Sequence, residues 1–441
     1  MGDTATQGSI STFLVISLGQ LISLVGSGMT SFALGIWVYQ HTGSITRFAL
    51  ISVSAMLPGI VILPIVGALV DRFNRRTVMM LSDVGAGLSS LILAALFFTG
   101  HLMIWEIYVL VSVGSLAGAF RMPSYMALLS QLVPTEQIGR ASGVMQLGPA
   151  SAQVLSPVLA ASLLGKINFQ GIIAIDFATF LFAIATLSLI PVPTLSAKGS
   201  KRPILKEAYD GWAYIVERPG LVGLLIFAAS TNITYGFSQV LFTPMILAFT
   251  STTVLGTIMS VGALGFLSGS LVMSTWGGPR RRVHGLLGFA VLYGIGLILG
   301  GLRASALLIT ISIFVIMFQI PAMNGCSQAI WQTKIPLEMQ GRVFSTRMMI
   351  ALSTGPVALF LAGPLADRVF EPMFLAHGFL WRIGLTNIIG AGPGRGAAFL
   401  LILSGILALA IIMGCYFNHH LRNVEDELPD AIPVRQAVVA V

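Results

Sequence analysis

The sequence predicts an all-α integral membrane fold, with twelve transmembrane helices arranged as two pseudo-symmetric six-helix bundles. Three observations predict it. Only 9% of the 441 residues are charged and 56% are hydrophobic, with a mean hydropathy of +0.91. A soluble chain carries roughly a quarter charged residues, so this one cannot cover itself with water-facing side chains. Apolar runs of about 18 residues or more recur along the whole chain, each long enough to cross a ~30 Å hydrocarbon core as a helix. A helix satisfies its own backbone hydrogen bonds, as lipid demands. Finally, one polar sentence, Pro-x-Glu-x-x-Gly-Arg, stands twice: PTEQIGR at 134–140 and PLEMQGR 202 residues later at 336–342.

Taken in order, the apolar runs place spans at 12–39, 45–70, 77–99, 103–132, 137–165 and 170–190, then at 220–247, 252–275, 284–302, 305–333, 338–366 and 396–417. Between the two sets, residues 191–219 hold three prolines before Ile204 and a dense set of charges. That composition reads as a linker, with a surface helix over 203–217. The expected organisation is a first bundle at 1–190, a linker at 191–219, a second bundle at 220–417 and a tail at 418–441. GALV at 67–70 and GSLV at 269–272 repeat the 202-residue interval, which argues for duplication. In each copy of the polar sentence the Pro ends one helix and the Glu opens the next, where its charge favours the positive end of the helix dipole. The sentence reads either as helix-hairpin punctuation or as part of a gate.

The formal charge is +8. Its basic residues cluster in loops on the linker's side, among them Arg72, Arg75, Arg76, Arg140, Lys201, Arg202, Arg281, Lys334 and Arg342. The positive-inside rule therefore places the linker and both termini in the cytoplasm, and topology rather than a nucleic-acid partner explains the charge. Residues 1–10 lack Lys and Arg and the first apolar run exceeds a signal-peptide core, so no cleaved signal is expected. Cys326 and Cys415 lie in apolar runs without metal spacing and read as small core residues. No Walker sequence, H-E-x-x-H or paired aspartates occur, so an enzyme is not expected. The six histidines show no ligand spacing, and His419 and His420 read as interface anchors.

GALVDRFNRRTVMMLSD, joining spans 2 and 3, resembles the Gly-x-Leu-x-Asp-Arg-x-Gly-Arg-Arg signature of the major facilitator superfamily, carried here by Gly67, Leu69, Asp71, Arg72, Arg75 and Arg76. Asn74 replaces the signature's second glycine; asparagine tolerates left-handed backbone, so the tight turn is expected to survive. The resemblance implies a gating role for this motif, with the aspartate set against the N-terminus of span 11 near Gln340–Arg342. The second-half counterpart carries Met273 at the aspartate's place. The stretches LVPTEQIGRASGVMQLGPASAQVLSPVLA and IPLEMQGRVFSTRMMIALSTGPVALFLAGPLADRVFEP look like the bacterial drug:proton antiporters that include macrolide-efflux proteins, with enterobactin-type siderophore exporters more distant. What this implies is a secondary active transporter of the bacterial inner membrane, monomeric, using no cofactor and exporting an amphipathic drug, macrolide-like product or siderophore against a proton gradient. Uptake of a small metabolite is the alternative.

Ionisable residues at membrane depth usually face a cavity or a partner. The candidates are Asp83, Arg121, Glu106, Asp176 and Arg347. Asp83 lies about 10 Å into span 3, and Arg121 about 16 Å from the end of span 4, at ~1.5 Å per residue. The two are expected to pair, either as a clamp or as a coupling element in which protonation of Asp83 releases Arg121. Glu106 and Asp176 are expected at the outer interface. An arginine motif common in span 4 of drug:proton antiporters is missing, since residues 107–117 hold no basic residue. In the resembled fold spans 1, 4, 7 and 10 line the cavity, which implies substrate contact at Gln20, Ser27, Asn232, Tyr235, Gln239, Asn324, Gln328 and Trp331. Such a lining is polar but neutral and suits a bulky amphipathic solute. The run GAGPGRG at 390–396 lacks the ending of a phosphate loop and reads as a turn feeding span 12.

Overall fold

The computed structural model describes residues 10–70, 74–125, 138–189, 204–374, 378–382 and 384–429. The long helices are α1 (Ile10–Thr42), α2 (Ile45–Val70), α3 (Arg75–Phe98), α4 (Ile104–Gly118), α5 (Ile138–Leu189), α6 (Ile204–Val216), α7 (Pro219–Leu247), α8 (Thr252–Trp276), α9 (Arg282–Leu302), α10 (Ala306–Lys334), α11 (Leu337–Pro364) and α12 (Arg395–Phe417). Eleven helices among the described residues are long and apolar enough to cross a membrane. One of them accounts for two crossings: α5 has 52 residues, which at ~1.5 Å each is more than twice a ~30 Å core. It breaks at Asn168, whose φ of 56° is the one positive value outside glycine among the described residues. The expected four-residue gap between spans 5 and 6 is thus a single left-handed asparagine in the polar tip Lys166-Ile167-Asn168. The fold is an all-α multi-pass membrane fold.

Two compact units form: residues 1–200 with 250–259, and residues 201–249 with 260–441. In the first, α1 packs along α5 while α4 packs on α2 and α3, around Met29, Leu34, Val38, Ile107 and Ile172. In the second, α9 packs between α10 and α12, and α7 packs on α11 and α12, around Leu224, Leu286, Ile330 and Trp331. Outward faces are apolar as well: Leu264, Leu267 and Leu271 of α8 are each at least 60% exposed, a stripe at helical spacing that suits lipid and not water.

α6 forms within the expected linker. It packs on α11 and buries Ile215 in the second unit's core. The stretch 367–395, left outside spans 11 and 12 and expected as a loop, begins as helix instead. α11 runs on through a π-helical Leu365–Phe370 and an α-helical Glu371–Phe374, since LADRVF holds no glycine or proline to stop a helix after Pro364.

Candidate functional site

Inside the first unit α1 carries Ser17, Gln20, Ser23 and Ser27, spaced three or four residues apart and so on one face. Gln20 and Ser23 are buried. The stripe meets two carboxylates. Asp83 of α3, 1% exposed, accepts from Gln20 Nε2 at 2.9 Å on one oxygen and from Arg121 Nε at 2.9 Å on the other. Asp176 of α5, 2% exposed, accepts from Ser27 Oγ at 3.0 Å and from Ser90 Oγ of α3 at 3.3 Å. Gln20 and Ser27 are seven residues apart on α1, as are Asp83 and Ser90 on α3, so the two carboxylates occupy successive levels about 10 Å apart at ~1.5 Å per residue. The lower level is charge-neutralised, since buried ion pairs need full hydrogen bonding to hold. The upper one has only hydroxyl donors within hydrogen-bond range among the described residues.

This geometry corrects two expectations. Asp176 is interior and not interfacial, because the break at Asn168 sets it eight residues, about 12 Å, down the second half of α5. Gln20 and Ser27 are carboxylate partners: a buried carboxylate requires donors, and α1 supplies them. Glu106 sits at a helix end, where its carboxylate accepts from Met103 N at 2.8 Å and closes the first turn of α4.

The second unit places its candidates differently. Arg347 of α11 donates to Gln328 Oε1 at 3.2 Å and Ser327 Oγ at 3.1 Å, and its guanidinium lies 5.1 Å from the Trp331 ring centroid. Trp331 is fully buried in the core, so it walls no cavity; its indole shelters beneath Arg347. Asn232 and Tyr235 are half-buried on α7, and Gln239 is exposed and donates to Tyr235 Oη at 3.1 Å. Asn324 and Gln328 are exposed on α10.

Of the 67–76 motif, Asp71 and Arg72 lie outside the described residues. Gly67 falls in the last turn of α2 and Arg75 opens α3. Asn74 has φ −61° and accepts from Arg76 N at 3.0 Å. It is therefore an N-cap and not the left-handed stand-in expected for glycine. Arg76 reaches across to the end of α5, donating to Leu187 O at 3.1 Å and Ser188 O at 2.6 Å, where a cation satisfies free carbonyls and the negative dipole end.

Two anchors escaped sequence reasoning. Glu371 inserts its carboxylate into the GAGPGRG turn, accepting from Gly394 N at 2.7 Å and Gly396 N at 2.8 Å. The Gly-rich run does cradle an anion at a helix N-terminus, but the anion is the chain's own. A Cβ on Gly396 would lie 2.3 Å from Glu371 N. On the other side, buried Lys334 donates to Glu425 O and Leu428 O, both at 2.6 Å, and Glu425 accepts from Val283 N at 2.9 Å in the first turn of α9. Both anchors join residues far apart in sequence, so no local pattern announces them.

The Major Facilitator Superfamily model matches residues 16–359, well over half of the chain. The chain belongs to the Major Facilitator Superfamily. Within the superfamily it is 28% identical over 376 residues to macrolide efflux protein A of Streptococcus pyogenes, covering 83% of this chain and 93% of that one. It is 26% identical over 379 residues to the multidrug efflux pump Tap of Mycolicibacterium fortuitum, covering 82% and 91%. Among solved structures, a bacterial homologue of the human lysosomal transporter Spinster, inward-facing and occupied, superposes with a TM-score of 0.71 at 13% identity, over 96% of this chain and 99% of that one. A D-xylose-proton symporter superposes with a TM-score of 0.64 at 15% identity, over 92% and 97%. At such identities these two superpositions speak for the fold alone.

Proposed function

We propose that this superfamily member is a secondary exporter that uses inward proton flow to drive an amphipathic small molecule, of the drug, macrolide or siderophore kind, out of a bacterial cell. The relatives named for macrolide and multidrug efflux support export and the substrate class. The neutral amides and aromatic side chains of Asn232, Tyr235, Gln239, Asn324 and Gln328 suit such a solute better than a small anion would. The protein works as a monomer in the inner membrane, with linker and termini cytoplasmic as the basic loops require, and needs no cofactor beyond the gradient.

The observation that carries the coupling is Asp83, which shares its two oxygens between Gln20 and Arg121. Protonating Asp83 removes its attraction for Arg121 and frees the arginine, and a change of this kind biases a two-state transporter through differential interaction in its two states. Asp176 offers a second proton seat, because hydroxyls can donate to a carboxylate or turn to accept from a carboxylic acid.

The test is dye and antibiotic uptake into everted vesicles energised by a pH gradient, with wild type, Asp83→Asn and Asp176→Asn. Gradient-driven uptake by wild type that collapses with an uncoupler and is lost in Asp83→Asn supports the reading. Gradient-driven uptake at the wild-type rate in Asp83→Asn removes that residue from coupling. Accumulation of a small metabolite in right-side-out vesicles, with no drug movement, would overturn export itself.

A further inference from the structure

After α12 the chain does not leave the second unit. Asn418 caps a turn, His419–Arg422, by accepting from Leu421 N, and a second turn, Val424–Glu427, follows at once. Leu421 and Val424 are fully buried. They sit against the start of α7, where a Cβ on Gly220 would come 2.6 Å from Val424; only glycine permits that approach. Lys334 and Glu425 fasten the second turn, and Arg281 pairs with Asp426 at 3.4 Å. The docked turns hold three side chains together on their outer face. His419 Nδ1 lies 3.2 Å from Glu427 Oε1, and His420 Nδ1 lies 3.0 Å from Glu427 Oε2. One ligand atom from each residue falls within 4.8 Å of the others, the one such group among the described residues.

We propose that His419, His420 and Glu427 form a binding site for a divalent transition metal ion of the zinc kind. Zinc takes imidazole nitrogen and carboxylate oxygen at ~2.0–2.2 Å in tetrahedral array, which sets neighbouring ligand atoms about 3.3 Å apart. The two histidine–carboxylate separations, 3.2 and 3.0 Å, are close to that, and all three ligand atoms lie within 4.8 Å of one another. Two imidazoles and one carboxylate are a borderline set that favours zinc, copper or nickel over magnesium or calcium, and the fourth position faces solvent because both imidazoles are exposed. Asn423 Nδ2 lies 2.9 Å from His419 Nε2. Turning that amide over lets its oxygen accept from Nε2–H once Nδ1 is committed to the metal, the outer support that metal-bound imidazoles require. The ion joins the first turn to the second and so staples the segment following α12 onto α7, α9 and α10.

The experiment uses full-length protein without a polyhistidine tag, in detergent, titrated with zinc chloride by calorimetry and with cobalt chloride by visible absorption. Wild type is expected to bind one equivalent at micromolar concentration. The cobalt complex is expected to show ligand-field bands of low coordination number. His419→Ala/His420→Ala is expected to lose affinity at least tenfold, and Glu427→Gln roughly tenfold. Zinc is expected to slow proteolysis after residue 418 in wild type alone. Unchanged zinc affinity in the double histidine variant, with its melting temperature without zinc equal to wild type, overturns the proposal. So does wild type that binds no zinc below millimolar concentration, which leaves the cluster as surface hydrogen bonds only.

Discussion

Asp83→Asn is the substitution that bears most directly on the first unit. The carboxylate is 1% exposed and spreads two 2.9 Å bonds over two donors, while Arg121 keeps 14% exposure. An amide offers one oxygen, so Gln20 and Arg121 compete for it, and the arginine is left charged and mostly buried. Breaking a buried pair from one side costs about 3–5 kcal/mol. Arg121 has some access to solvent, so the lower end applies, ~3 kcal/mol. For a unit of this size each kcal/mol moves Tm by about 2–4 °C, so Asp83→Asn should melt about 6–12 °C below wild type in detergent. Arg121→Met should do comparable damage by stranding Asp83. The double variant Asp83→Asn/Arg121→Met removes both charges and should return to within ~1 kcal/mol of wild type, a coupling of about 5 kcal/mol in the cycle. The assay is thermal unfolding of the four proteins followed by light scattering and tryptophan fluorescence. Additive losses below ~1 kcal/mol each would refute the pair as a buried electrostatic unit, and with it the argument that Asp83 must be neutralised to free Arg121.

Three further outcomes follow from the same geometry. Asp176→Asn keeps a polar group between Ser27 and Ser90 and should fold, whereas Asp176→Leu leaves two half-buried hydroxyls without their acceptor and should lose ~1–2 kcal/mol; equal stability of the two variants in detergent unfolding would contradict the assigned partners. Glu371→Gln keeps one acceptor oxygen where Gly394 N and Gly396 N use two, so one N–H is left facing an amide donor and ~1.5–3 kcal/mol should be lost; Gly396→Ala should be worse because its Cβ meets backbone at 2.3 Å, and chemical denaturation measures both. Lys334→Met removes the donor to Glu425 O and Leu428 O, and should speed proteolysis after residue 418 several-fold while leaving the rest of the digestion pattern unchanged.

The architecture was legible because lipid allows so few solutions. An apolar run of span length must be a helix, so the boundaries of α2, α7, α9 and α12 fall within a few residues of the apolar runs. Asn168 shows where that reading coarsens: a two-span unit joined by one left-handed residue reads as a gap in hydropathy. The proximity of Asp83 and Arg121 was legible from depth alone, since both residues sit at measurable distances along neighbouring helices. The partners of Asp176 were not, because depth along a helix says nothing about which way a side chain turns. The Ser/Gln stripe on α1 was visible as a stripe, but a row of donors looks the same whether it faces a substrate or a carboxylate. Glu371 and Lys334 were invisible for another reason: each anchors to backbone atoms more than twenty residues away, which leaves no trace in residue type.

The seating of Asp176 between serines of α1 and α3 has a consequence for biogenesis. The acid emerges from the ribosome long after both of its hosts, and hydrocarbon tolerates a lone carboxyl group poorly. Helices α1 and α3 must therefore wait near the insertion machinery, hydroxyls unoccupied, until α5 arrives to close them. A nascent chain stopped short of α5 should remain susceptible to membrane quality-control proteases, and the whole first half should become resistant in a single step.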